Sequence, residues 1–150
     1  MILISAKPID LNMVLSKVQD RSCGATVLFV GSTRDHGDRG QVSGIYYEAY
    51  TEMAKAKISE IATVARKRWK IKRFAVAHRT GKLQVGEVSV AVAVSAEHRR
   101  EAFEACRYCI DSIKTTVPLW KKEILESGEA WVRGVIPKSG KSGQTARNVK

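Results

Sequence analysis

The sequence has few cysteines, few prolines and no long apolar run. Its three cysteines, Cys23, Cys106 and Cys109, are an odd number, which argues against a disulfide framework and fits a reducing compartment. No apolar stretch approaches the roughly 20 residues needed to cross a bilayer. The opening segment MILISAKPID does not read as a signal peptide, because a charge and a proline follow only a few apolar residues. The default expectation is a soluble, cytoplasmic protein with no membrane partner. The three histidines, His36, His78 and His98, are scattered without an H-x-x-x-H pair, so no metal site is expected. A Ser/His/Asp signature is lacking as well.

What is present suits one globular domain. The 150 residues are 44% hydrophobic, enough for a real core. The formal charge is +11, which implies an anionic partner: nucleic acid, an acidic protein or a phosphorylated metabolite. Part of that charge is local. From Arg133 onward the chain has Lys138, Lys141, Arg147 and Lys150 and no acid. This Gly-, Ser- and Lys-rich stretch reads as flexible, giving a domain over 1–135 and a basic tail over 136–150.

Along the chain, Asp10 can cap a short helix whose apolar residues Leu11, Val14, Leu15 and Val18 follow helical spacing. GATVLFVG, residues 24–31, reads as a buried strand. A polar loop from Ser32 to Gly40 follows, carrying Arg34, Asp35, His36, Asp38 and Arg39. A strand over Val42 to Tyr50 alternates Ile45 and Tyr47 against Tyr46 and Glu48. Thr51 is expected to cap a helix ending near Trp69, with Ala54, Ile58, Ile61, Ala62 and Ala65 inward and a basic outer face. Strands are expected over 73–81 and 87–96, with GKLQVG between them as a connection of some strand character. Ser95 is expected to cap a long helix over Ala96 to Val117, with a stripe of Phe103, Cys106, Ile110, Ile113 and Val117, ended by Pro118. Two short strands then flank a Ser127-Gly128 turn. This mixed order predicts an α+β fold rather than a regular parallel βαβ series.

Several segments can carry chemistry. Lys114 lies about 40° from Ile110 on the helical wheel, at the edge of the apolar stripe. It is either a snorkelling side chain or a partly desolvated lysine able to move a proton. Lys121 and Lys122 are neighbours on a strand, so one must point opposite to the other. Ser95-Ala96-Glu97-His98-Arg99-Arg100 opens a helix beside free backbone N–H groups, which suits either an anion or an ordinary exposed helix start. Arg34, in its glycine-flanked loop, is a possible phosphate ligand or a plain surface arginine. Cys106-Arg107-Tyr108-Cys109 is a C-x-x-C well inside a helix, where packing is the better account. Gly134 to Gly140-Lys141-Ser142 has one residue too many for a P-loop and too little chain after it for the required helix.

Taken together, GATVLFVGSTRDH, YYEAYTEMA, ARKRW, AVAHRTGKLQVGE, VAVSAEHRREAFEA, SIKTTVPLWKKE and EAWV resemble the large, catalytic subunit of molybdopterin synthase. The resemblance covers roughly Gly24 to Val132. It implies an α/β hammerhead-like fold with a mixed or antiparallel sheet, flanking helices and a small β subdomain. It further implies a homodimer within a heterotetramer. The partner would be a small ubiquitin-like sulfur carrier with a Gly-Gly thiocarboxylate tail, and the substrate cyclic pyranopterin monophosphate. The activity implied is sulfur transfer to form the molybdopterin dithiolene, in molybdenum cofactor biosynthesis, with no metal or other cofactor in this subunit. By that resemblance Lys114 and Lys121 are catalytic, and Ser32, Thr33, Arg34, His98, Arg99, Lys122 and Glu123 bind substrate.

One consequence follows from spacing. Sixteen positions separate His98 from Lys114, about 24 Å along a helix axis, too far for both to grip one small pterin. If both serve one site, a second copy must supply one of them. The rival reading is a small basic nucleic-acid-binding module without catalysis, supported by the charge. No RNP-type aromatic pair, GXXG loop or zinc module accompanies it, so no nucleic-acid partner is expected.

Overall fold

A computed structural model describes residues 1–132 of the chain. The expected tail over 136–150 and the Gly134–Ser142 stretch lie outside the described residues. The strands are β1 (Ile2–Ser5), β2 (Ala25–Ser32), β3 (His36–Gly37), β4 (Gly40–Ala49), β5 (Arg73–Arg79), β6 (Gly81–Gln84), β7 (Val88–Ala96), β8 (Leu119–Leu125) and β9 (Gly128–Val132). The helices are α1 (Leu11–Ser16), α2 (Thr51–Trp69) and α3 (Arg99–Thr116). The α+β expectation holds.

The first sheet has strand order β1-β5-β7-β2, with β1 parallel to β5 and the other neighbours antiparallel. Side chains alternate across a strand, and here both faces are covered. Phe74, Val76, Val90, Val92, Val94 and Ala96 pack with α2 and α3. The opposite face is alanine at Ala75, Ala77, Ala91 and Ala93, and there Val14 and Val18, from α1 and just beyond it, pack closely. Small side chains on that face let a short helix lie near the sheet. Full burial of residues such as Ile58 and Ile113 contributes about 1.5–3 kcal/mol each.

The second sheet runs β3-β4-β8-β9, with β6 also paired to β4. GKLQ is thus a true strand, whose Leu83 is fully buried against Ile45 of β4. The long β4 links three of these strands, and α3 delivers the chain to β8 through Val117-Pro118.

Three local expectations shift. Asp10 does cap α1, accepting from the backbone N–H groups of Asn12 and Met13. Helix α2, however, begins one residue early, with Tyr50 as N-cap and Thr51 already helical. Ser95 is no cap at all. It lies within β7, fully buried between Thr26 and Arg73 on the neighbouring strands, and α3 begins only at Arg99 with His98 as its N-cap. Strand pairing on both sides carries β7 through Ala96 and outweighs the local capping preference. Phe103 is 63% exposed, so the buried stripe of α3 is instead Ala102, Ala105, Cys106, Cys109, Ile110 and Ile113.

Candidate functional site: a cationic cleft between the sheets

The two sheets and the last turns of α3 enclose a cleft of about 640 Å³. Three cations line it: Arg34 from the loop after β2, Lys114 from the end of α3 and Lys121 from β8. The wall between them includes Tyr47, His78, Ser89 and Glu123.

Strand register explains which lysine enters. Lys121 pairs with Tyr47, and Glu123 with Ile45, so all four side chains share one face. Lys122 pairs with Tyr46 and points the other way. Its ammonium meets Glu129 at 2.6 Å and lies 5.4 and 5.3 Å from the rings of Tyr46 and Trp131. The hydrogen bond to Glu129 raises the Lys122 pKa. Lys122 is therefore spent on the far face and does not line the cleft.

Glu123 is 5% exposed, and its carboxylate holds the Lys121 ammonium at 3.1 Å. A carboxylate this buried needs such a partner. Gly37 leaves room for it: a Cβ there would stand 2.7 Å from both carboxylate oxygens. Glu123 thus positions Lys121 from within the cleft wall. Lys114 is exposed, with its ammonium 5.9 Å from the centre of the Phe29 ring.

The loop that carries Arg34 is anchored at both ends. Thr33 donates its backbone N–H to the Glu87 carbonyl and accepts from the Gly86 N–H. The Glu87 carboxylate in turn accepts from Arg79 at 2.9 Å and from the Gln84 N–H at 2.6 Å. Val42 donates to the Asp35 carbonyl, closing the loop. Thr33 is 4% exposed and does not line the cleft; Ser32 and Arg34 on either side of it do.

His98 and Arg99 are elsewhere. His98 caps the start of α3 and lines a second pocket of about 390 Å³ with Arg68, Trp69, Lys70, Lys72, Glu97 and Glu101. Arg99 lines neither pocket. The described chain therefore gathers Ser32, Arg34, Lys114, Lys121 and Glu123 and keeps His98 and Arg99 at the other end of α3.

Sequence reasoning missed His78, Tyr47 and Ser89. His78 is 6% exposed, and its Nδ1 stands 2.9 Å from the Arg79 carbonyl oxygen. A carbonyl only accepts, so Nδ1 carries the proton. Burial pushes the His78 pKa down to about 4, against the raising effect of that hydrogen bond, so the ring is neutral near pH 7. Tyr47 meets it edge-on, with ring centres 5.0 Å apart. Burial raises the Tyr47 pKa, opposed by a hydrogen bond with Ser89 and assisted by the Glu123 charge. Ser89 Oγ donates to the Gly31 carbonyl at 3.2 Å. The available signal was a histidine among small apolar residues in AVAHRTG, at a position whose alternation places it inside.

Other features carry packing. Burial pushes the Cys106 and Cys109 thiols up to about 11 and about 12, which keeps both protonated and unreactive. The basic face of α2 is partly neutralised by Lys55–Glu52 and Lys57–Glu60 pairs at 3.7 and 2.9 Å. Among the described residues no three of His, Cys, Asp and Glu gather as a metal site, and no helix is long and apolar enough to cross a membrane.

A cationic cleft with a buried polar wall, set between two sheets, defines an α+β protein whose site suits a small anion. The family follows from comparison: residues 4–116 match the MoaE protein family, and the chain belongs to it. The matched stretch includes Arg34, His98, Arg99 and Lys114 and ends before Lys121. A molybdopterin synthase catalytic subunit from rice (Oryza sativa subsp. indica) is 45% identical over 123 residues, covering 82% of this chain and 64% of the rice protein. The chain thus spans just under two thirds of that relative's length. The crystal structure of molybdopterin synthase from Staphylococcus aureus is 34% identical with a TM-score of 0.84, covering 87% of this chain and 96% of that one. A complex of subunits 1 and 2 of the molybdopterin-converting factor from Helicobacter pylori is 20% identical with a TM-score of 0.72, covering 88% and 90% of the two chains. The α/β hammerhead-like architecture expected of the family is the one seen.

Proposed function

We propose that this chain is the catalytic subunit of a molybdopterin synthase, transferring sulfur from a thiocarboxylate tail to cyclic pyranopterin monophosphate. The observation that carries this is the convergence of Arg34, Lys114 and Lys121 on one cleft large enough for a pterin. The precursor's phosphate and the tail's thiocarboxylate are both anions, and a cationic cleft gathers both. The thiocarboxylate sulfur attacks a side-chain carbon of the precursor, forming a C–S bond as that carbon's C–O bond breaks and its oxygen leaves with a proton. Water then cleaves the acyl–sulfur bond, leaving sulfur on the pterin and a carboxylate on the tail. Negative charge builds on the oxygens during these steps, and fixed ammonium groups stabilise it without reorganising. Lys121 is suited to that task because Glu123 holds it in place. Lys114 is freer and suits proton movement or the incoming tail. Two such transfers complete the dithiolene.

The sulfur donor in this reading is a small ubiquitin-like subunit with a Gly-Gly terminus, in line with the two-subunit complex of the Helicobacter pylori relative. The assembly is a homodimer of this chain with one small subunit on each copy, working in the cytoplasm. His98 and Arg99 of the partner subunit complete the substrate site, because within one chain they stand about 24 Å along α3 from Lys114.

The test is reconstitution. The full chain, a thiocarboxylated small subunit and the cyclic pterin should give dithiolene product. Lys114→Ala and Lys121→Ala should each lower turnover by about 100-fold or more, with the fold intact by circular dichroism. No product where a known synthase works would overturn the reading. So would variants that lose only affinity for the small subunit.

A further inference from the structure

The wall of the cleft holds three buried polar side chains, Ser89, Glu123 and His78. Two have their partners within the protein. Glu123 is committed to Lys121, and the Ser89 hydroxyl donates to the Gly31 carbonyl. His78 is half committed. Its Nδ1–H goes to the Arg79 carbonyl, and its Nε2 has no hydrogen-bond partner among the described residues. Tyr47 packs its ring edge-on to the imidazole, which fixes the plane in which that free nitrogen lies. Nε2 is not among the buried side-chain atoms left without a partner, so it is open to the cleft, where a ligand donor can take its lone pair.

The remaining cleft chemistry indicates what kind. Arg34, Lys114 and Lys121 can only donate, so they serve a phosphate, a thiocarboxylate or ring carbonyls. A reduced pterin also carries several N–H groups along its edge. Each needs an acceptor once it leaves water, and a carboxylate already paired with lysine is a poor one.

We infer that His78 is a substrate-binding residue that accepts a hydrogen bond through Nε2 from a ring N–H of the heterocycle in the cleft. This rests on the pterin reading above and adds to it the group that recognises the uncharged end of the substrate. The cations then hold the charged end, while His78 selects for a donor-bearing ring. Phosphorylated compounds without such an N–H would lose this contact and keep the others. Burial supports the role, since a ring that stays neutral near pH 7 keeps its lone pair available.

Cyclic pyranopterin monophosphate is titrated calorimetrically into the full chain and into His78→Leu and His78→Gln. His78→Leu, which fills the space without an acceptor, should bind about tenfold more weakly, while His78→Gln, which keeps one, should stay within about threefold. Affinity for inorganic phosphate should be the same in all three. In the wild-type protein with ring-¹⁵N histidine, the Nε2 resonance of His78 should move on pterin binding and Nδ1 should hold still. This measurement stands even if His78→Leu does not fold. Equal pterin affinity in a folded His78→Leu, or an unmoved Nε2, would overturn the inference alone. A wild-type chain that does not bind the pterin would overturn the functional reading, and this inference with it.

Discussion

Burial and a single carbonyl fix the protonation of His78, and that has a consequence for stability. In the unfolded chain its pKa is near 6.5; in the fold it is about 4. Between those values the unfolded state binds a proton that the native state refuses. The stabilisation is therefore complete above about pH 6.5 and is lost as pH falls toward 4. The full difference corresponds to about 3 kcal/mol. Urea unfolding of the wild type should lose about that much between pH 7 and pH 4, beyond any loss shared with His78→Leu, whose curve should be flatter. Parallel curves would show that His78 does not titrate in this window. At this scale the sequence was only partly legible. The settings of Lys114 and Arg34 each allowed a plain surface reading as well as a site one, and only the resemblance of the whole series of segments marked them as site cations. Thr33, by contrast, is a buried anchor of the loop, a role set by Gly86 and Glu87, more than fifty residues away.

Elements were more legible than single positions, because periodicity is local and caps compete with long-range pairing. The alternation of β4, the stripe of α2 and the turn at Gly128 were all readable from neighbours in sequence. The start of α3 was not. Ser95 has the side chain of a cap, but β2 and β5 both pair with β7 at that point and extend the strand past it. Its hydroxyl is left buried without a partner among the described residues. Ser95→Ala should therefore be neutral or stabilising by up to about 1 kcal/mol in denaturant unfolding. A cap would behave oppositely, losing about 1 kcal/mol. Phe103 is a similar lesson. It sits at the margin of the α3 stripe, and only the position of the sheet decides that the margin faces solvent.

For the whole molecule, α3 acts as a spacer between two sites. One end supplies Lys114 to the cleft and the other supplies His98 to a separate pocket. Helix length alone makes that separation legible in the sequence. The way the second sheet folds over to form the cleft is not legible there, because it depends on pairings between distant segments such as β4 and β8. If two copies share each site, variants damaged at opposite ends should rescue each other. Lys114→Ala and His98→Ala homodimers should both be nearly inactive. After subunit exchange in equal amounts, half the dimers are mixed and each holds one intact site, so about a quarter of wild-type turnover should return. Turnover no higher than the average of the two parents would show that each chain builds its site alone.

The pleat of β8 makes neighbours of Lys121 and Lys122 in sequence and strangers in space. Between two otherwise identical side chains, parity along the strand decides which one enters the cleft. An alignment that slipped by one residue here would still match lysine to lysine and score well. It would nonetheless exchange the cleft cation for one tied to Glu129. In this chain, counting back two residues from the Glu123 carboxylate, along one face of the strand, finds the cleft lysine where matching the letter alone does not.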